Sequence, residues 1–168
     1  MSIIDTLVKE HEIILDFLDK LEKTNQKIQK MKTYKSNQRF KLLKSIAGHL
    51  AAAEPHHQRE EKVLFLELEK RGVFGPPEMM RMEHEELKKH KKDLKELIDK
   101  ISQTRFYDFK KKLNTTAQFI VTILRDHIFK ENNILYPTAL EVIKEKGVWK
   151  KMEDDCDKIG YCCFTPEQ

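Results

Sequence analysis

The chain has 168 residues, enough for one domain with a sizeable buried core. Charged residues make up 36% against 39% apolar, with only five glycines and five prolines, the composition of long solvated helices. A formal charge of +4 is small among so many charges and implies no nucleic-acid partner; no apolar run is long enough to cross a membrane, and Asp5, Lys9 and Glu10 break any signal-peptide core.

Four long helices follow from the spacing of apolar residues. In the first, starting at about Ile3, Ile4, Leu7, His11, Ile14, Leu18, Leu21 and Ile28 recur at three- and four-residue steps, with Asn25 the one polar residue among the later members. That spacing draws a single stripe on one helical face, and His11 lies within it. The second helix carries Leu43, Ile46, Ala47, Leu50 and Ala53 up to Pro55. A proline inside a helix loses a backbone hydrogen bond and costs about 3 kcal/mol, so Pro55 either kinks or bulges the helix or starts a new one after a break. The third helix is expected to begin at Pro76 and Pro77, since proline is accepted in a first turn. Its stripe is Met80, His84, Leu87, Leu94, Ile98 and Ile101, interrupted by Lys91. The fourth reads Leu113, Ala117, Ile120, Leu124, His127, Glu131 and Ile134, with Gly147 expected to end it. Short breaks near 33–37, 72–77 and 102–107 would join neighbours antiparallel. The expectation is an all-α, up-down-up-down four-helix bundle over residues 1–148, followed by a short cysteine-containing segment or helix over 149–168.

Within these helices one pattern occurs twice. His56-x-x-x-Glu60-x-x-Val63-Leu64-Phe65 returns 71 residues later as His127-x-x-x-Glu131-x-x-Ile134-Leu135-Tyr136. A lone histidine between glutamates precedes each copy, as Glu10-His11-Glu12 and Glu83-His84-Glu85. Each of these histidines alone is more often a hydrogen-bonded core residue, and each His-x-x-x-Glu pair alone a surface interaction. Together they place four imidazoles and two carboxylates in one core, where uncompensated burial of each glutamate would cost several kcal/mol. Two transition-metal ions bridged by carboxylates remove that cost, and iron is the first candidate. His57 and Glu61 offer a competing pair, but adjacent positions differ by about 100° around a helix and only one pair can face the core. Glu60 precedes Val63-Leu64-Phe65 as Glu131 precedes Ile134-Leu135-Tyr136, so His56 and Glu60 are taken as ligands, with His57 and Glu61 flanking them or supporting a ligand from behind. Glu54-x-x-His57 matches a ferritin-type element once, but Leu124 stands where the second copy needs its glutamate.

The stretches Val8–Glu12, His56–Phe65, Met82–Glu85 and His127–Pro137 resemble the hemerythrin-like proteins, the HHE cation-binding family, over roughly residues 3–145. The resemblance implies a four-helix bundle around a non-haem di-iron centre with an oxo or hydroxo bridge. By position, His11 and His56 would serve one iron, His84 and His127 the other, and Glu60 and Glu131 would bridge them. Oxygen-carrying members have a fifth histidine one turn beyond the third-helix ligand, where this chain has Lys88, and an aspartate where it has Glu131. An ammonium group cannot ligate unless deprotonated, which leaves an exchangeable position on both irons. The pattern is closer to the four-histidine, two-glutamate centres of bacterial and archaeal relatives.

The implied function is a small di-iron protein that binds or senses dioxygen or nitric oxide, or reacts with peroxide. Alternatives are iron supply for iron–sulfur repair and reversible oxygen carriage. Cys156, Cys162 and Cys163 crowd the last thirteen residues, too clustered for a disulfide framework, and a cytoplasmic location follows. Apolar packing of at least one thiol is the simpler expectation, with electron donation or oxidation sensing as the sharper one. Any signal would pass to a separate protein partner. His49 reads as a plain core or surface histidine, and His90 with the runs Lys88–Lys92 and Lys110–Lys112 as solvated faces, a docking patch for an acidic partner being the alternative.

Overall fold

In the computed structural model, which describes residues 2–166, the chain is all-helical, and no strand occurs among the described residues. The first helix, α1 (Ile3–Gln29), is opened by Ser2, whose hydroxyl accepts from the Asp5 amide while the Asp5 carboxylate accepts from the Ser2 amide. That reciprocal cap satisfies two donors the helix itself cannot. Asn37 caps α2 (Gln38–Ala51) by accepting from the Arg39 amide at 2.9 Å. Helix α2 does not run through Pro55: after a turn at Ala52 and Ala53, α3 (Glu54–Arg59) begins with Pro55 in its first turn. The break, rather than a kink within a continuous helix, is therefore the form the proline disruption takes.

A π-helical turn, Glu60–Leu64, follows α3 directly and leads into α4 (Phe65–Glu69). A second, Glu131–Leu135, joins α6 (Phe106–Lys130) to α7 (Tyr136–Val142). Each begins at the repeat's glutamate, and each is closed by an i→i+5 bond, Phe65 N–H to Glu60 O and Tyr136 N–H to Glu131 O. Pro137 lacks an amide proton and assists the second, yet Leu66 holds the same place after the first, so proline is not required. An extra residue per turn rotates everything beyond it. Ile134, expected on the core stripe, is 51% exposed, although its counterpart Val63 is buried within the equivalent turn; α8 covers the first π turn, and in the second only Leu135 and Tyr136 reach the core.

Between these, α5 (Gly75–Asp99) carries its two prolines in the first turn as expected. The long helices pack α1 on α2, α2 on α5, α5 on α6 and α6 back on α1. Bonds from His11 to Asn132, Asn25 to Asn114 and Gln29 to Lys110 run in opposite order along α1 and α6. The fourth long helix ends at Val142 rather than at Gly147, which sits in the first turn of α8 (Lys146–Ile159). Helix α8 lies across α1, α3 and the first π turn, burying Met152 and Cys156.

The core divides into two apolar clusters. One contains Ile14, Leu18, Leu50, Ala53, Leu87, Leu124 and Ile128; the other contains Leu7, Val63, Leu64, Met80, Leu135 and Met152. The candidate ligands fall between the two along the chain: His11 between Leu7 and Ile14, His56 and Glu60 between Ala53 and Val63, His84 between Met80 and Leu87, and His127 and Glu131 between Leu124 and Leu135. Fully burying one leucine stabilises by roughly 1.5–3 kcal/mol, so the apolar layers supply the stability and the polar layer between them opposes it.

Candidate metal centre

The polar layer places all six sequence candidates together. His11, His56, Glu60 and Glu131 offer donor atoms within 4.8 Å of one another, as do His84, His127 and Glu131. All six side chains are essentially inaccessible to solvent. His11 Nε2 faces His56 Nε2 at 3.0 Å, and His84 Nε2 faces His127 Nε2 at 2.9 Å. Glu131 lies 3.2 Å from His11 Nε2 through one oxygen and 3.1 Å from His127 Nε2 through the other. Glu60 spans similarly, 3.5 Å from His56 Nε2 and 3.5 Å from His84 Nε2. Each carboxylate thus reaches toward a histidine of each pair.

The other nitrogen of every ring is tied outward. His11 Nδ1 meets Asn132 Oδ1 at 2.8 Å, His56 Nδ1 meets Glu10 at 2.6 Å, His84 Nδ1 meets Glu61 at 2.7 Å and His127 Nδ1 meets Glu83 at 2.7 Å. All four partners are acceptor oxygens, so the rings donate through Nδ1 and neutral imidazoles leave their Nε2 lone pairs pointing inward. Fixing a ring through its far nitrogen is how proteins orient histidines that bind metals.

These outward partners obey the internal repeat. The glutamate before each lone histidine serves the other histidine of its half, Glu10 to His56 and Glu83 to His127. The residue after each core glutamate serves the lone histidine of the opposite half, Glu61 to His84 and Asn132 to His11. Glu61 was expected to flank the ligands or to support one from behind, and it does the latter for His84, whereas Glu10, Glu83 and Asn132 had no expected role. The signal available was that these positions are themselves repeated, at the same offsets as the histidines.

A metal fits this layer. Glu60 Oε2 and both oxygens of Glu131 are buried without a hydrogen bond, although imidazole nitrogens stand within 3.6 Å. Orphaned carboxylate oxygens facing paired Nε2 lone pairs leave strong donors with nothing to bind. With no cation present His56 takes up a proton: burial opposes this, but the Glu60 charge and the Glu10 hydrogen bond outweigh it and raise His56 to about 9. His127 is raised to about 10 against the same burial, chiefly by Glu131. A divalent cation here would replace those protons with charge that the carboxylates could share.

The halves differ in one respect. Tyr136 and Phe65 hold equivalent places, Tyr136 stacked on His11 and Phe65 on His84. The Tyr136 hydroxyl donates to Glu60 Oε1 at 2.5 Å, and phenylalanine has nothing to offer Glu131. This accounts for Glu131 keeping two orphaned oxygens and Glu60 one.

Around the centre, Arg59 donates to both oxygens of Glu10 at 2.6 and 2.7 Å and lies under the Tyr161 ring. Burial raises Glu10, but the His56 hydrogen bond and the charges of His56 and Arg59 prevail and hold it at about 2. Thr165 also donates to Glu10, so the chain beyond α8 closes over this side. His57 stacks on His84 with ring centroids 4.0 Å apart. Lys88, the place of the carriers' fifth histidine, points away from the donors: its side chain is 57% exposed and pairs with Glu54 at 2.9 Å. His49 and His90 bond to backbone carbonyls one turn back and stack on Phe17 and Phe119, outside the centre. All three cysteines are free; burial pushes the Cys156 and Cys162 thiols up to about 12 and 11, which favours packing over thiolate chemistry.

The family model described as the hemerythrin HHE cation binding domain matches residues 2–139. No curated protein matches the chain. No helix of the described residues is long and apolar enough to cross a membrane.

Proposed function

As the chain belongs to the hemerythrin HHE cation-binding domain family, we propose that it holds two iron ions in an up-down-up-down bundle, through His11, His56, His84, His127, Glu60 and Glu131, to bind or sense dioxygen or nitric oxide or to react with peroxide. The observation that carries this is the convergence of four Nε2 atoms and three orphaned carboxylate oxygens in a dry layer, with every Nδ1 tied outward. Such a pair of ions, when bound, supplies one-electron redox chemistry and positions open to a small ligand, because six protein groups cannot fill the coordination of two irons.

The chain's residues set the conditions for that chemistry. The flanking leucine layers exclude water, so the donors act in a low dielectric. Glu10, Glu61 and Glu83 hold their imidazoles by charge-assisted hydrogen bonds, which raises the donor strength of Nε2. Tyr136 keeps a hydroxyl proton on Glu60, beside His11 at 3.5 Å, on one side of the centre only. Lys88 supplies no ligand from the surface, which favours turnover or sensing over protected storage of oxygen. Three free thiols support a reducing, cytoplasmic setting.

Anaerobic iron loading and elemental analysis test the metal content, with about two irons per chain expected for paired core sites. One tightly held zinc, or no metal, would overturn the proposal. Absorbance on adding dioxygen, nitric oxide and peroxide then tests reactivity. Rapid oxidation under dioxygen supports sensing or detoxification, whereas clean recovery under argon over many cycles assigns a reversible carrier.

A further inference from the structure

The repeat that relates the two halves of the centre breaks at His57. Its counterpart is Ile128, a buried core residue, so a hydrocarbon serves the equivalent place in the other half. His57 is 5% exposed, and its ring nitrogens make no hydrogen bond to any described residue. Packing alone does not call for an imidazole where the other half is served by a hydrocarbon. Glu54 departs from the repeat as well, since its counterpart is the oppositely charged Arg125.

Glu54, His57, Glu61, Lys62, Glu85 and Lys88 line one polar cavity of about 200 Å3 that reaches the buried His84, with three carboxylates against two ammonium groups. Glu54, His57 and Glu61 follow at three- and four-residue steps on one helical face, with the two carboxylates partly exposed and His57 buried between them. Glu61 is committed to His84 Nδ1 through one oxygen, and its second oxygen carries no hydrogen bond. At the mouth, Glu54 is held by Lys88.

The geometry points to this cavity as the entry port for divalent iron, with Glu54 and Glu85 attracting the ion, His57 and Glu61 ligating it in transit, and His84 receiving it. This rests on the two-metal assignment of the centre. Carboxylate and neutral imidazole are suitable ligands for ferrous iron, and a ladder of few, separated donors passes an ion on where a closed cage would keep it. The Lys88–Glu54 pair sits where it opposes entry, and its release exposes the outermost carboxylate.

The test follows loading of the metal-free full-length chain with cobalt(II) under argon, by the visible absorption of the bound ion, with elemental analysis of the endpoint. Glu54→Gln and His57→Gln are expected to load about tenfold more slowly than wild type to the same endpoint of two ions, the low end of what electrostatic focusing provides. Lys88→Gln is expected to load faster, and raised ionic strength to slow the wild type more than Glu54→Gln. Wild-type rates in all three variants, with the endpoint intact, would overturn the port and leave the centre standing. A wild-type endpoint without metal would instead remove the centre itself. Should the Glu54 or His57 variant fold poorly, the Lys88 variant decides alone, since faster loading supports the port and an unchanged rate refutes it.

Discussion

Replacing Lys91 by methionine is expected to stabilise the protein, and to do so only where the lysine would be charged. Lys91 interrupts the stripe of α5 between Leu87 and Leu94, is 4% exposed, and makes no hydrogen bond or ion pair with the described residues. Burial pushes its ammonium down from 10.5 to about 8, against the opposing attraction of Glu54 and Cys162. At about 1.4 kcal/mol per pK unit, holding the charged form in the fold costs about 3 kcal/mol. Below pH 8 both folded and unfolded chains carry the proton and the cost is felt in full. Between 8 and 10.5 the unfolded chain binds more protons than the folded one, so stability rises with pH; above 10.5 the cost is gone. Lys91→Met removes this dependence, so the variant is expected to exceed wild type by about 3 kcal/mol at pH 7 and to converge with it near pH 11. For a chain of this size that is a Tm gain of about 6–12 °C at neutral pH. Side-by-side thermal melts by circular dichroism from pH 6 to 11 measure it, the other titrating groups being common to both proteins. Parallel pH profiles, or a less stable variant at pH 7, would refute the reasoning and assign Lys91 a partner.

Glu10→Gln is expected to destabilise the fold by about 3–5 kcal/mol in urea titrations, because it leaves the buried Arg59 guanidinium without its carboxylate. The Glu10 carboxyl is held at about 2 against an ordinary 4.5, so its contribution is complete above pH 4.5 and lost as pH falls through 2. The variant should lose that part of the acid dependence, and a change under 1 kcal/mol at pH 7 would count against the pairing. Asn132→Ala is expected to lower metal affinity by about 10–100-fold in chelator competition without changing the number of ions bound, since it frees the His11 ring. Undiminished affinity would mean that Tyr136 stacking alone orients that ring.

The apolar spacing of α1, α5 and α6 is enough to place His11, His84 and His127 in the core, because a helix of 3.6 residues per turn leaves no other face for them. The internal repeat likewise favours His56 over His57 for the inward position, since one register must satisfy both copies. Periodicity carries that information because it is local. It fails at Ile134, which stays exposed because no helix covers it as α8 covers its counterpart Val63, and at Gly147, where a glycine suited to ending a helix lies in the first turn of α8. It is also silent on Glu10, Glu83 and Asn132, which look like solvent-facing residues of a charged helix until another helix packs against them. Whether a glutamate on such a helix meets water or the Nδ1 of a histidine 46 residues away is decided by the crossing of helices. The same holds for His57, Lys91 and the orphaned oxygens of Glu131. Their burial is a property of the space between elements, and the energy of a charge depends on its surroundings far more than on its own chemistry.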